Sequence, residues 1–300
     1  MSPHDLKTSL NKISKRTGCA IALTSSLLSS LLVLPTSSVK AETSIAQTTA
    51  IQTTAIQTTV AQTTASPNEP IQFSPPPLPD RGRPGGRSSG GASRGSCDTP
   101  NQLPLTALVP VTPSATANSL SETDLATATT ESVFSLTSQA NPTFWFYVPY
   151  TLSETPIEFV LQDEQNNTLY QTRFTGNSES GIVSIALPEE ATQLETNTLY
   201  HWYFMAFCDD NNPAFVEGWT ERTSLEPALS AELEQYRSDP RAQAALYAQN
   251  GIWQEAITLL GQQYYAEREN ANTLEDWNNL LESAALGDFG QQPLTDCCGL

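Results

Sequence analysis

The chain has 300 residues, with 32 Asp plus Glu against 14 Lys plus Arg and a formal net charge of −18. So acidic a surface repels phosphate backbones, which excludes nucleic acid as a partner. Two histidines and five cysteines leave few residues from which to build metal centres or Cys-His catalysis, and no metal or other cofactor is expected.

Residues 1–41 carry the three parts of a secretory signal. Lys7, Lys12, Lys15 and Arg16 form a positive start, Cys19 to Leu34 is apolar, and Val39-Lys40-Ala41 is a small-x-small cleavage site. The apolar run spans about 16 residues, fewer than the ~20 that cross a membrane. Cleavage after Ala41 then leaves no integral span; the alternative is an uncleaved anchor. Cys19 opens the apolar stretch and so is not a lipoprotein cysteine. All lysines lie at or before Lys40, so the remaining chain holds 9 Arg against 31 acids, 9 − 31 = −22. The expected location is periplasmic or extracellular.

Residues 42–96 read as a disordered spacer. The pentads AQTTA, IQTTA, IQTTV and AQTTA run from Ala46 to Ala65, followed by Pro75-Pro76-Pro77-Leu78-Pro79 and a Gly/Arg/Ser tract to Gly95. A period of five matches neither helix nor strand. Arg81, Arg83, Arg87 and Arg94 resemble a nucleic-acid tail, but in an exported acidic chain they read as scattered linker charge.

Cysteines 97, 208, 297 and 298 follow the signal. An even count in an exported chain reads as disulfides. Cys97 opens the folded region and Cys208 ends a long strand, so a bridge between them ties the domain edge to its core. Cys297 and Cys298 admit three fates: a vicinal ring, an intermolecular bridge giving a disulfide-linked dimer, or free thiols. A zinc site is not expected, since neither a CxxC pair nor a histidine lies near them.

Between Cys97 and Leu225, short alternating runs separated by turn residues predict strands at Leu103 to Val109, Ser132 to Ser138, Thr143 to Tyr150 and Ile157 to Asp163. Further strands are predicted at Thr168 to Phe174, Gly181 to Leu187, Thr198 to Cys208 and Phe215 to Thr223. Residues 111–131 read as a loop, and Asn166-Asn167 as a tight hairpin, since Asn tolerates positive φ. This spacing predicts a β-sandwich over residues 97–225.

The run Phe144-Trp145-Phe146-Tyr147 loads both faces of one strand. Phe144, Phe146 and Val148 are expected in the core. Trp145, Tyr147 and Tyr150 then either pack under the C-terminal helices beside Trp253 or form an exposed ligand platform. Leu194 and Tyr200, six apart before an apolar strand, look like the tyrosine corner of immunoglobulin and fibronectin type III sandwiches. The fold class is accordingly an Ig-like antiparallel β-sandwich followed by a helical cap.

The cap covers residues 226–292, where the period becomes 3.6. Helices are predicted at Ser230 to Arg237, Arg241 to Gln249 after Asp239-Pro240, Trp253 to Ala266, and Leu274 to Leu286. Ala244, Tyr247, Gly251, Trp253, Glu255, Ala256 and Leu260 resemble a single tetratricopeptide-like hairpin. Residues 293–300 form a tail with Cys297-Cys298.

His201, the sole histidine after the signal, lies between large aromatics on a strand, where a structural role is expected rather than a catalytic base. G-x-S-x-G, Walker, G-x-G-x-x-G and H-E-x-x-H signatures are missing. Glu158, Glu217 and Glu221 are the strand carboxylates available to a two-acid hydrolase. Asp163-Glu164 and Asp209-Asp210 lie in oxygen-rich loops, weak calcium candidates that read first as Asx turns.

The segments LTALVP at Leu105, NPTFWFYVPY at Asn141, EFVLQDE at Glu158, GIVSIALP at Gly181, LYHWYF at Leu199, VEGWTER at Val216 and ALYAQNGIWQEAI at Ala245 together resemble a cyanobacterial family of exported proteins carrying a domain of unknown function. The resemblance implies a compartment and no established activity. The function expected is a non-enzymatic envelope protein, a binding or scaffolding module for an unknown protein or polysaccharide of the envelope. The alternative is a glycan-acting hydrolase using paired carboxylates.

Overall fold

The computed structural model describes residues 69–76, 85–90, 97, 102–113, 131–176, 179–208 and 213–295. The expected signal, the Thr pentads, Asp209, Asp210, Cys297 and Cys298 lie outside them. The described chain is mixed α/β, with two sheets and four α-helices.

The strands are β1 (Ser89–Gly90), β2 (Leu105–Ala107), β3 (Val111–Pro113), β4 (Glu131–Thr137), β5 (Thr143–Val148), β6 (Ile157–Gln162), β7 (Thr168–Phe174), β8 (Gly181–Ala186), β9 (Thr198–Ala206) and β10 (Ala214–Arg222). A four-stranded sheet runs β1-β2-β5-β8 and a six-stranded sheet β3-β4-β10-β9-β6-β7. Neighbours are antiparallel except for β4 and β10, which are parallel. On one flank the chain passes between sheets, because Arg87 pairs with Glu217 of β10 just before β1 pairs with β2.

Alternation places the core. Phe144, Phe146 and Val148 of β5 meet Phe159, Trp202 and Phe204 between the sheets, with the Phe146 and Phe204 rings stacked at 4.0 Å. Gly218 is required here, since a Cβ would lie 2.3 Å from the Trp202 ring. The opposite face of β5 meets the helices: Trp145 lies 6.0 Å from Trp277 and Tyr147 lies 5.3 Å from Phe289, ring to ring.

Those helices are α1 (Pro227–Gln235), α2 (Pro240–Gln249), α3 (Trp253–Ala266) and α4 (Ala271–Ser283), then a 3-10 turn, Gly287–Phe289. Two of the starts have a local cause. Pro227 and Pro240 take first-turn positions that need no donor, and the Asp239 carboxylate accepts from Ala242 N. Gly251, at φ +74°, ends α2 in the left-handed region that favours glycine.

Three sequence expectations change. Residues 69–76 and 85–90, assigned to a spacer, are packed. Ile71 and Phe73 are buried in the helical core, the Phe73 ring standing edge-on to Trp253 at 5.0 Å. Low complexity on either side conceals this strap, whose two apolar anchors have no period to reveal them. Residues 111–113, expected in a loop, form β3 and pair with β4. Finally, Leu294 and Thr295, expected in a tail, are buried, and Thr295 N donates to Ile182 O of β8 at 2.9 Å.

Candidate functional site

Apart from His201 and Glu217, which meet on one sheet face, the functional candidates singled out by sequence do not converge on one site. Trp145, Tyr147 and Tyr150 are 1%, 5% and 7% exposed, so they form no open platform. Trp145 also spends its indole N–H on Thr258 of α3 at 3.0 Å. Tyr200 sits where its spacing predicts, its hydroxyl accepting from Glu195 N at 2.7 Å beside buried Leu194. Cys97 and Cys208 form a disulfide with Cα atoms 5.3 Å apart.

Asp163 closes the β6–β7 hairpin. Its carboxylate accepts from Gln165 N, Asn167 N and Asn167 Nδ2 at 2.8–2.9 Å, and those bonds, led by the Asn167 side chain, hold its pKa below the ordinary 3.8. Asn166 takes φ 64° in that turn, and Glu164 is exposed beside it. Among the described residues, no three His, Cys, Asp or Glu side chains are grouped to hold a metal.

Sequence reasoning missed a polar-aromatic cluster on the outward face of the six-stranded sheet. Because Tyr200, Trp202 and Phe204 point inward, period two sends His201, Tyr203 and Met205 outward. Register sets His201 opposite Trp219 and Tyr203 opposite Glu217. The His201 and Trp219 rings stack at 4.1 Å and 5°, and His201 Nδ1 lies 3.0 Å from the Tyr203 hydroxyl. His201 Nε2 is 3.2 Å from Glu217 Oε2, an ion-pair distance whose direction falls short of a straight hydrogen bond. Burial pushes the imidazole below the ordinary 6.5, and Glu217 only partly offsets it. Trp219 and Tyr203 remain half-buried. Arg87 and Arg173 flank the face, stacked over Phe215 and Phe207 at 4.6 and 4.5 Å. Glu158 is bound by Gln171 and lies 3.9 Å from Arg173; Glu221 is half-buried at the far end of β10.

A second arrangement lies where α3 meets the end of β4. A cleft of about 410 Å³ is walled there by the chain after β4 and by α2 and α3. Glu255, in the first turn of α3 and 6% exposed, is part of its wall. Glu255 Oε1 accepts from Thr137 Oγ1 at 2.6 Å, Ser138 N at 2.9 Å, Ser138 Oγ at 3.2 Å and Gln139 N at 3.0 Å. Oε2 is enclosed without a hydrogen-bond partner. Burial raises the carboxyl above its ordinary 4.5, against the pull of those donors. Among the described residues this is the sole carboxylate lining the cleft, and a two-carboxylate mechanism needs a second acid.

The model of a domain described as Domain of Unknown Function (DUF928) matches residues 89–294. The chain belongs to the DUF928 family. The match begins at β1 and ends at Leu294, so the DUF928 domain takes in both sheets and all four helices. None of the curated proteins compared with the chain matches it. Among solved structures, the chain is similar to two crystal structures of Parabacteroides merdae β-glucuronidase, one with glycerol in its active site. Each likeness has 11% identity over 39% of this chain and 22% of that one, with TM-scores of 0.22 and 0.20. Likeness at that level carries no argument about the fold or activity of the DUF928 domain.

Proposed function

We propose that this protein is a non-enzymatic, exported envelope module that binds a neutral polysaccharide along the outward face of its six-stranded sheet. The observation that carries the reading is the cluster of Trp219, His201, Tyr203 and Glu217. It joins flat rings to hydrogen-bonding groups on a face that belongs to neither apolar core. Sugar rings present both apolar C–H faces and hydroxyl edges, and such a surface matches both. A net charge of −18 disfavours polyanionic glycans. The Cys97–Cys208 bridge supports an oxidising compartment.

An Ig-like arrangement supports a binding role. Strands β5 and β8 share one sheet while β6, β9 and β10 share the other, as strands B and E stand against C, F and G in that fold. Tyr200 holds the corner before β9. In the tetratricopeptide-like reading, α2 and α3 are the paired helices, with Ala244, Ala248 and Ala256 fully buried between large side chains.

The test uses intrinsic fluorescence. Of five tryptophans, Trp145, Trp202, Trp253 and Trp277 are at most 1% exposed, so a ligand on the outward face reports through Trp219. Titration of the full chain with neutral envelope glycans is expected to shift its emission, and Trp219→Phe to abolish both shift and binding. Glycans that leave the emission unmoved, or a protein captured on the same face, would overturn the reading.

A further inference from the structure

We propose that the cleft between α2, α3 and the end of β4 binds a small organic ammonium, with Glu255 as its counter-ion. This site is separate from the outward sheet face, and the two proposals fail independently. The first support is asymmetry within one carboxylate. Four donors converge on Oε1, while Oε2 has no partner in a side chain that is 6% exposed. The backbone N–H of Glu255 also faces the carboxylate, yet completes no bond to Oε2. A buried oxygen with an unused lone pair is costly, and a donor that meets it when the enclosed carboxylate turns toward the cleft recovers that cost.

The second support is the chemistry of the walls. Asn141 Nδ2 donates to Pro188 O at 2.9 Å and Gln243 Nε2 to Leu233 O at 3.3 Å. Backbone carbonyls only accept, so these amide orientations are determined. Gln254 Nε2 donates to Ser135 Oγ at 3.0 Å. Each amide thus uses one N–H within the protein and keeps its carbonyl oxygen and a second N–H. Among the described residues, no Lys, Arg or His lines the cleft. With no cation in that wall to pair with the carboxylate, the balancing charge falls to a ligand, and an ammonium supplies it together with three donors.

Clamping alone does not require an acid. A glutamine at 255 could accept the same donors from residues 137–139 through its carbonyl oxygen, without an ionisable group in a buried site. The titratable and charged groups nearest the carboxylate are Tyr247 of α2, whose own pKa is raised by burial and by Glu255, and Arg222 of β10, held on Ser138 O.

The experiment is calorimetric titration of the full chain with putrescine, glucosamine and glucose, the last a neutral match to the amino sugar. Putrescine or glucosamine is expected to bind and glucose not to; which amine binds separates a polyamine source from an amino-sugar source. Glu255→Gln is expected to weaken amine binding at least tenfold while leaving near-ultraviolet circular dichroism unchanged, and Trp219→Phe to leave it intact. Binding should also release a proton wherever the free carboxyl is protonated, read as heats that differ between buffers of different ionisation enthalpy. Equal binding of glucose and glucosamine, no amine binding at millimolar concentration, or equal losses in Glu255→Gln and the surface control Glu234→Gln would each overturn the proposal.

Discussion

Tyr200 and Glu255 each place one polar atom where its loss has a defined consequence. Tyr200→Phe strips the acceptor from Glu195 N and is expected to destabilise the fold by roughly 1 to 3 kcal/mol, read as a lower urea midpoint. Glu255 works through protonation. Its folded-state pKa is raised above 4.5 by burial, so its stabilising contribution is full below pH 4.5 and is lost as pH rises through the raised value. His201 runs the other way. Its pKa is depressed below 6.5, so its contribution is present above that value and lost as pH falls through the depressed one. The difference between wild type and Glu255→Gln isolates the first effect. Urea midpoints from pH 4 to 8 should converge at the acid end, with wild type falling below the variant as pH rises. Tyr200 was legible because its partner lies five residues away. Glu255 was legible only as a member of the tetratricopeptide-like pattern, because its partners at 137–139 are distant in sequence and nothing local marks a first-turn Glu as inward.

At the scale of elements, α3 and β5 are mutually shaped. A Cβ on Gly261 would lie 2.5 Å from the Trp145 ring. In an exposed helix Gly→Ala stabilises by about 0.5 to 1 kcal/mol; here Gly261→Ala is expected to destabilise by roughly 1 to 3 kcal/mol, and the sign of the thermal midpoint shift decides. Periods of two and 3.6 carried strand and helix existence, and Asn166 carried its turn. Boundaries shifted where capping decides them: α1 begins at Pro227 rather than Ser230, and α4 at Ala271 after the Asn270 cap. Strand β3 escaped notice, since it is three residues long and its partner β4 belongs to a different sheet from β2.

For the whole molecule, long-range ties set stability. The disulfide spans a sequence separation of 111 residues, so replacing both Cys97 and Cys208 by Ser is expected to cost about 4 to 5 kcal/mol on the loop-entropy estimate, measured by urea unfolding without reductant. Ile71 and Phe73 tie the segment before the sheets into the helical core, and Arg241 adds a two-point ion pair to Asp276 at 2.8 and 2.9 Å. By itself the sequence determined the acidic character, the Cys97–Cys208 pairing, the order of strands and helices, and the inward set Phe144, Phe146 and Val148. These depend on composition and on periods that act over a few residues. Only the tertiary structure decided that Trp145 and Tyr147 lie beneath helices while Trp219 and Tyr203 stay half-open, and that Glu255 keeps one oxygen unpartnered. Alternation sorts side chains into two faces, but which face is covered depends on elements a hundred residues away.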